Sequence, residues 1–349
     1  MQAAILVEPG RLKIGATLTP DCPAGGVLVK VKACGICSSD AKMMAQGHRA
    51  LVYPRILGHE MAGVVVESRA RQFQAGDRVQ VAPGLRCGNC IQCRRGADNQ
   101  CESREIFGFT TDGGFAEYIP IPLKGPVVGS LSLLPENVSY DAATLGEPIA
   151  CCMNAQDKIG TKPGDTVLII GAGPLGLLHG YVARVRGAEN ILVSEIQAPR
   201  RKTAIPTWAD QAIDPADANL FETVMDATHA KGVDVIIFAC SQMGLDEKFI
   251  KLLAPGGRVS VFSGMSPPVA QIQLDLNMIH YNEIKISGAY GCTAHQNTEA
   301  TKLIASGKLP IGELITNRVA LDNIEEGLEH TQASRALKSI LEINNGGAR

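Results

Sequence analysis

Cys87, Cys90 and Cys93 stand in the run Cys87-Gly-Asn-Cys90-Ile-Gln-Cys93, and Cys101 follows shortly after. The CxxC steps let a tight loop bring sulfurs to one ion, and structural zinc sites hold four thiolates at about 2.3 Å. Disulfides are the competing explanation, but a chain of 349 residues with no export signal is not the small secreted domain that relies on them. A site with all four positions filled folds a lobe, here residues 84–104, and does no chemistry. The reacting groups must lie elsewhere.

Three further features could build a second, open metal site: Cys37 in Cys34-Gly-Ile-Cys37-Ser-Ser-Asp40, the pair His59-Glu60, and Glu147 in Gly146-Glu-Pro148. Cysteine, histidine and carboxylate together suit zinc with one position left for water or substrate. Singly, each has a plainer explanation: a buried thiol, a core histidine, two surface acids.

A nucleotide turn stands in the second half. Gly171-Ala-Gly173-Pro174-Leu175-Gly176 follows the apolar run Thr166–Ile170 and opens an apolar helix expected over Leu175–Arg186. The glycines would give a tight turn, close approach to a pyrophosphate and close helix packing, with the helix N-terminus supplying N–H groups. Glu195, at the end of the next strand Asn190–Ser194, would accept hydrogen bonds from the adenosine ribose and repel a 2′-phosphate, which favours NAD over NADP. Arg200 and Arg201 follow closely and weaken that preference somewhat, although a solvated pair opening a helix is the better account of them.

The elements that must hold these groups differ along the chain. The first 150 residues carry short β runs broken by Gly and Pro, such as Val27–Ala33, Gly63–Glu67 and Asp77–Ala82, which suggests a barrel-like β domain. Beyond Lys162, strands at Thr166–Ile170, Asn190–Ser194, Val233–Ala239, Arg258–Ser263 and Glu283–Ser287 alternate with helical segments, which implies a parallel sheet covered on both faces. The tail returns to helix at His295–Ser306 and Ile324–Gln332 and to strand at Ser339–Ile343, closing back on the first domain, and Asn344–Arg349 form a loose end. The domains expected are 1–155, 156–290 and the returning segment 291–349.

With 45% hydrophobic and 19% charged residues the chain is an ordinary globular protein; a net charge of −2 without basic runs speaks against nucleic acid and anionic membranes as partners. No apolar run of membrane-spanning length and no leader pattern occurs, so a cytoplasmic location is expected.

Taken in order, the GIC-x-SD segment, Gly58-His-Glu60, the four-cysteine lobe, Asp112-Gly-Gly-Phe-Ala-Glu-Tyr118, the Glu-Pro and the glycine turn resemble the zinc-dependent medium-chain dehydrogenases, in their polyol and threonine dehydrogenase branch. The resemblance covers essentially the whole chain. It implies a GroES-like β-barrel catalytic domain and a Rossmann doubly wound parallel-sheet domain, an α/β plus β fold. It further implies two Zn2+ per chain, one structural and one catalytic, the latter bound by Cys37, His59 and Glu60 with Glu147 as ligand or water-mediated partner. Asp40 would orient His59, and Ser39 would pass the alcohol's proton toward solvent. The activity implied is oxidation of a secondary alcohol of a polyol, plain or phosphorylated, to a ketone with NAD. A homodimer or homotetramer is expected by resemblance, and because the strand Arg258–Ser263 and the stretch Met265–Asn277 would leave a sheet edge exposed.

The pattern is not followed everywhere. Lys42 stands where many relatives end the proton relay with a histidine, and Asn154 replaces another histidine near the nicotinamide. Gly288-Ala-Tyr-Gly-Cys292 is closer to the threonine dehydrogenase form, whereas the Glu-Pro is closer to the polyol form. L-Threonine 3-dehydrogenase is therefore the alternative, with Arg318 or Lys42 as the cation for an anionic substrate. A redox or ligand sensor using Cys151-Cys152 is the non-enzymatic alternative, although adjacent cysteines in an apolar segment more simply pack a core.

Overall fold

Alternating and continuous apolar runs set the architecture. The computed structural model describes residues 1–123, 130–205, 207–216 and 219–343; the expected loose end at Asn344–Arg349 lies outside them. The chain divides into two units, one made of Met1–Ala150 with the segment from Cys292 onward, the other of Cys151–Gly291. Among the described residues no helix is long and apolar enough to cross a membrane.

In the first unit, the long strand Val27–Ile36 pairs antiparallel with Glu60–Ser68, with Tyr118–Ile121 and with the C-terminal strand Lys338–Glu342. The sheet continues through Arg78–Val81 to Leu131–Leu133 on one side and through Ile315–Ala320 on the other. Its apolar faces enclose a core that includes Leu6, Val29, Ile36, Met61, Phe107 and Phe115. The tail thus completes the first unit as a strand, where a residue distant in sequence can enter the site.

The second unit is one parallel sheet, in the order Gln211–Ile213, Asn190–Ser194, Thr166–Ile170, Val233–Phe238, Leu253–Val261, Lys285–Gly288. Counted within the unit, this is the doubly wound order 3-2-1-4-5-6 of dinucleotide-binding domains. Val167, Leu168, Ile169, Val235, Ile236 and Ile237 are fully buried, as strands covered on both faces require. The edge expected at Arg258–Ser263 is interior: Lys285–Gly288 adds beyond it in parallel and is itself the open edge, with Ile286 and the nearby Tyr290 exposed. The short strand Gln211–Ile213 went unforeseen because three residues carry too little pattern to read.

Candidate functional site

The open metal set is assembled at the end of the long strand. Val27–Ile36 delivers Cys37, which is the N-cap of helix Ser38–Gln46. Asp40, in that helix's first turn and fully buried, uses both oxygens: Oδ2 accepts the Cys37 backbone N–H at 2.9 Å, while Oδ1 accepts the Gly58 N–H at 3.3 Å and faces His59 Nδ1 at 3.2 Å. One carboxylate therefore caps the helix and orients the imidazole. With Nδ1 so engaged, Nε2 is the nitrogen left to bind a metal.

The segment before His59 is clamped by the Asp112–Phe115 turn. Asp112 Oδ1 accepts the Ile56 N–H at 3.1 Å and Arg55 Nη1 at 2.9 Å, and the amides of Gly113, Gly114 and Phe115 donate to the carbonyls of Ile56, Gly58 and Leu57. Two glycines permit this closeness: a Cβ on Gly113 would lie 2.1 Å from the Gly58 carbonyl oxygen, and Gly58 itself has φ +91°. The motif noted in the sequence is thus the support that fixes the histidine.

Cys37, His59 and Glu60 bring a thiol, an imidazole and a carboxylate within 4.8 Å of one another. His59 and Glu60 are buried and Cys37 half-buried. Burial alone would pull the His59 imidazole down, but the charge and hydrogen bond of Asp40, with help from Cys37, hold it well above its ordinary value. The donor set fits zinc.

Glu60 has a partner that the sequence reading missed. Lys338, on the returning strand, forms a buried ion pair with Glu60 Oε2. Burial would lower the Lys338 ammonium; Glu60 first, with Cys37 and Glu147, raises it instead. A lysine heading an apolar strand is the only trace this leaves in the sequence. Glu147 lies in the first turn of helix Gly146–Ile159, outside the Cys37 group, with its carboxylate within 4.8 Å of the Cys292 thiol. Ser39 is half-buried beside Asp40, and Lys42 is exposed.

The four lobe cysteines converge as the spacing predicts, with all sulfurs within 4.8 Å. Cys87 lies 4.0 Å from Cys93 and 3.5 Å from Cys101, sulfur to sulfur. Four thiolates at about 2.3 Å from one ion would stand about 3.8 Å apart, so the cage already has the size of a tetrahedral zinc site. Cys90 caps the short helix Ile91–Arg94, and backbone N–H bonds from Cys93 and Glu102 bring its thiol down to about 6. Burial pushes Cys93 up to about 12.

In the second unit, Gly171 ends its strand at φ +100° and Gly173 caps the twelve-residue helix Pro174–Val185, with Pro174 at its first position and Leu175 and Gly176 following. A Cβ on Gly176 would sit 1.9 Å from the Gly171 carbonyl oxygen, whereas one on Gly173 would meet only Arg200 Nη1, at 3.6 Å. Gly176 is demanded by packing; Gly173 leaves open the space that a pyrophosphate would use. Glu195, buried, accepts the Ala172 N–H on Oε2 and the Gln197 N–H on Oε1, each at 2.8 Å, and Arg200 Nη1 lies 3.8 Å away. Arg201 donates through Nη1 to the Glu195 carbonyl at 2.7 Å and pairs through Nη2 with Asp214. Asn154 donates to the Gly291 carbonyl at 2.8 Å, and Cys151 and Cys152 are buried, as packing residues would be.

Residues 23–129 match the family model of the alcohol dehydrogenase GroES-like domain, and residues 174–306 that of the zinc-binding dehydrogenases. The chain is 35% identical to L-threonine 3-dehydrogenase of Pyrococcus horikoshii, over 97% of this chain and 98% of that protein. It is 31% identical to sorbitol dehydrogenase of Bacillus subtilis, over 94% and 93% respectively. A zinc-binding dehydrogenase of Sinorhizobium meliloti, solved bound to NADP, superposes with a TM-score of 0.88 at 29% identity and 98% coverage of both chains. The two units, the two metal-ligand sets and these matches together make the chain a member of the zinc-dependent medium-chain dehydrogenases of the alcohol dehydrogenase superfamily, in the branch that holds the threonine and polyol enzymes.

Proposed function

We propose that this protein oxidises a secondary alcohol of a polyol or sugar alcohol, plain or phosphorylated, to a ketone, reversibly and with NAD. The observation that carries the reading is the Cys37, His59 and Glu60 group, with Asp40 buried behind it. Cys37, His59 and Glu60 would hold the catalytic zinc, with Glu147 as a further or exchanging ligand, and Cys87, Cys90, Cys93 and Cys101 a structural one. When bound, zinc supplies Lewis acidity toward the alcohol oxygen and the nicotinamide accepts the hydride. Asp40 fixes the His59 tautomer, and Ser39 passes the proton outward. Lys338 holds one oxygen of Glu60 in place, away from free rotation.

A substrate without a carboxylate beside the reacting alcohol is supported by where two of the cations are. Lys338 is committed to Glu60; Arg318, which would receive a carboxylate in the alternative reading, is paired with Asp141 at 2.8 Å and Glu342 at 3.4 Å. The second reading, oxidation of L-threonine at its hydroxyl, is favoured by the Pyrococcus relative's name and by the Gly288–Cys292 run. NAD is favoured by the Glu195 carboxylate, fixed by two backbone N–H groups where a 2′-phosphate would have to sit. The thiolates suit a reducing cytoplasm, and the open edge strand Lys285–Gly288 suits assembly into a homodimer or homotetramer.

Reduced cofactor formed from a panel of polyols, polyol phosphates, simple secondary alcohols and L-threonine, with NAD and NADP in turn and before and after chelation, tests the reading. Chelator-sensitive turnover of a polyol with NAD is expected. Preference for threonine would replace it with the second reading, and no turnover of any alcohol would overturn both.

A further inference from the structure

The four-cysteine lobe is held to the rest of its unit by a residue that coordinates nothing. Arg86, one position before Cys87, is buried, and its Nε lies 3.2 Å from Asp98 Oδ1. Asp98 lies inside the lobe, between Cys93 and Cys101, and is also buried. Both Asp98 oxygens accept the Ala294 N–H at 3.2 Å, at the start of helix Ala294–Ala305, where a negative charge is favoured. The other arm of the Arg86 fork, Nη2, donates to the Cys292 carbonyl at 3.1 Å.

From that helix the contacts run on. Asn297, one turn along, is fully buried and exchanges two hydrogen bonds with the amide of Gln80, at 2.5 and 3.3 Å. Gln80 in turn packs against Gly146, where a Cβ would fall 3.2 Å from the Gln80 amide carbon. Gly146 begins the helix whose next residue is Glu147. The shorter arm ends at the same place, since the Cys292 thiol lies within 4.8 Å of the Glu147 carboxylate.

We infer that Arg86 is a positioning residue, the first link of a chain through Asp98, Asn297 and Gln80 that carries the order of the four-cysteine lobe to Glu147 and Cys292. The inference deepens the dehydrogenase reading and rests on it for its effect on turnover. The links from Arg86 to Gln80 are buried polar contacts and the last, Gln80 on Gly146, is close packing, together the kind of contiguous path along which a displacement is transmitted rather than absorbed. A planar cation that pairs with Asp98 by charge and donates to the Cys292 carbonyl cannot be replaced by an apolar chain of similar length. The lobe is thereby a strut for the reacting centre as well as a fold element.

The test uses the metal-replete protein and the variants Arg86→Met, Asn297→Ala and their combination. Peptide-resolved iodoacetamide labelling reads the exposure of Cys292, elemental analysis the metal content, and steady-state kinetics kcat and KM. Expected are unchanged metal content, Cys292 labelling several-fold faster than in the parent, and kcat lowered roughly ten- to hundredfold, as a small misplacement of reacting groups produces. The double variant should be little worse than Arg86→Met alone, because Arg86 stands at the head of both arms. Cys292 labelling and kcat at parental levels in a folded, metal-replete variant would overturn the inference, as would strictly additive effects. If Arg86→Met does not fold, Asn297→Ala reads the same chain from its far end. A parent inactive on every alcohol would overturn the dehydrogenase reading alone, since the labelling result still decides the link.

Discussion

Lys338 and Glu60 form an ion pair sealed inside the first unit, the lysine arriving on the last described strand and the glutamate directly following the histidine of the reacting centre. Each charge has the other as its ion-pair partner, with Cys37 and Glu147 adding to the negative side. Removing one partner of a buried pair leaves the second uncompensated, at a cost of about 3–5 kcal/mol. Lys338→Met should lower the unfolding free energy by that order and the urea midpoint with it, and adding Glu60→Gln should recover a large part of the loss. Equal midpoints for Lys338→Met and the parent would show that water reaches the pair.

His179 is fully buried in the second unit, edge-on to Phe262 and bonded through its carbonyl by Gln156. Burial first, then the charge of Arg186, brings the imidazole down from 6.5 to about 3. The folded state thus refuses a proton that the unfolded chain accepts below its ordinary value. Stability contributed by the neutral ring is complete above that value and lost as pH falls toward 3, at up to about 1.4 kcal/mol per pH unit. Urea unfolding at pH 7 and pH 5 should therefore show a smaller acid loss for His179→Gln than for the parent, after allowance for its lower stability at neutrality.

The two glycines of the nucleotide turn should fail differently. At Gly176 an added Cβ meets a backbone oxygen at 1.9 Å, which nothing can move aside, so Gly176→Ala should lower the melting temperature markedly and abolish cofactor binding with it. At Gly173 the added methyl meets only a flexible arginine tip at 3.6 Å. Gly173→Ala should keep the parental melting temperature while weakening cofactor binding at least about tenfold, because it fills the approach to the pyrophosphate. Thermal unfolding with and without NAD separates the two.

Cys90→Ser should remove one zinc equivalent per chain and leave the other in place, since the two ligand sets share no residue. Elemental analysis gives the count. Limited proteolysis should then cut first between Gly84 and Ile106, the segment whose own pairing is only the two-residue strands Gly84–Leu85 and Glu105–Ile106. Cleavage elsewhere, or retention of both ions, would mean that the lobe does not need its metal.

Ligand types and short spacings determined much of this protein by themselves. The four-cysteine run closes locally, so its spacing already specifies the cage, and the glycine turn lies between the strand and helix it joins, so periodicity sufficed to place it. The pair Asp40 and His59 was legible only through the family pattern, because nothing local says that residues so far apart in the chain will meet. Tertiary structure alone decided the rest. Lys338 reaches Glu60 because the returning strand pairs with Val27–Ile36, and Arg86 reaches Cys292 because the chain comes back to the first unit there. The open sheet edge moved to Lys285–Gly288 because strand order is set by crossover connections and not by the composition of any strand. Buried polar partners of this kind are chosen by what packing brings opposite them, and a one-dimensional pattern records only that each is polar.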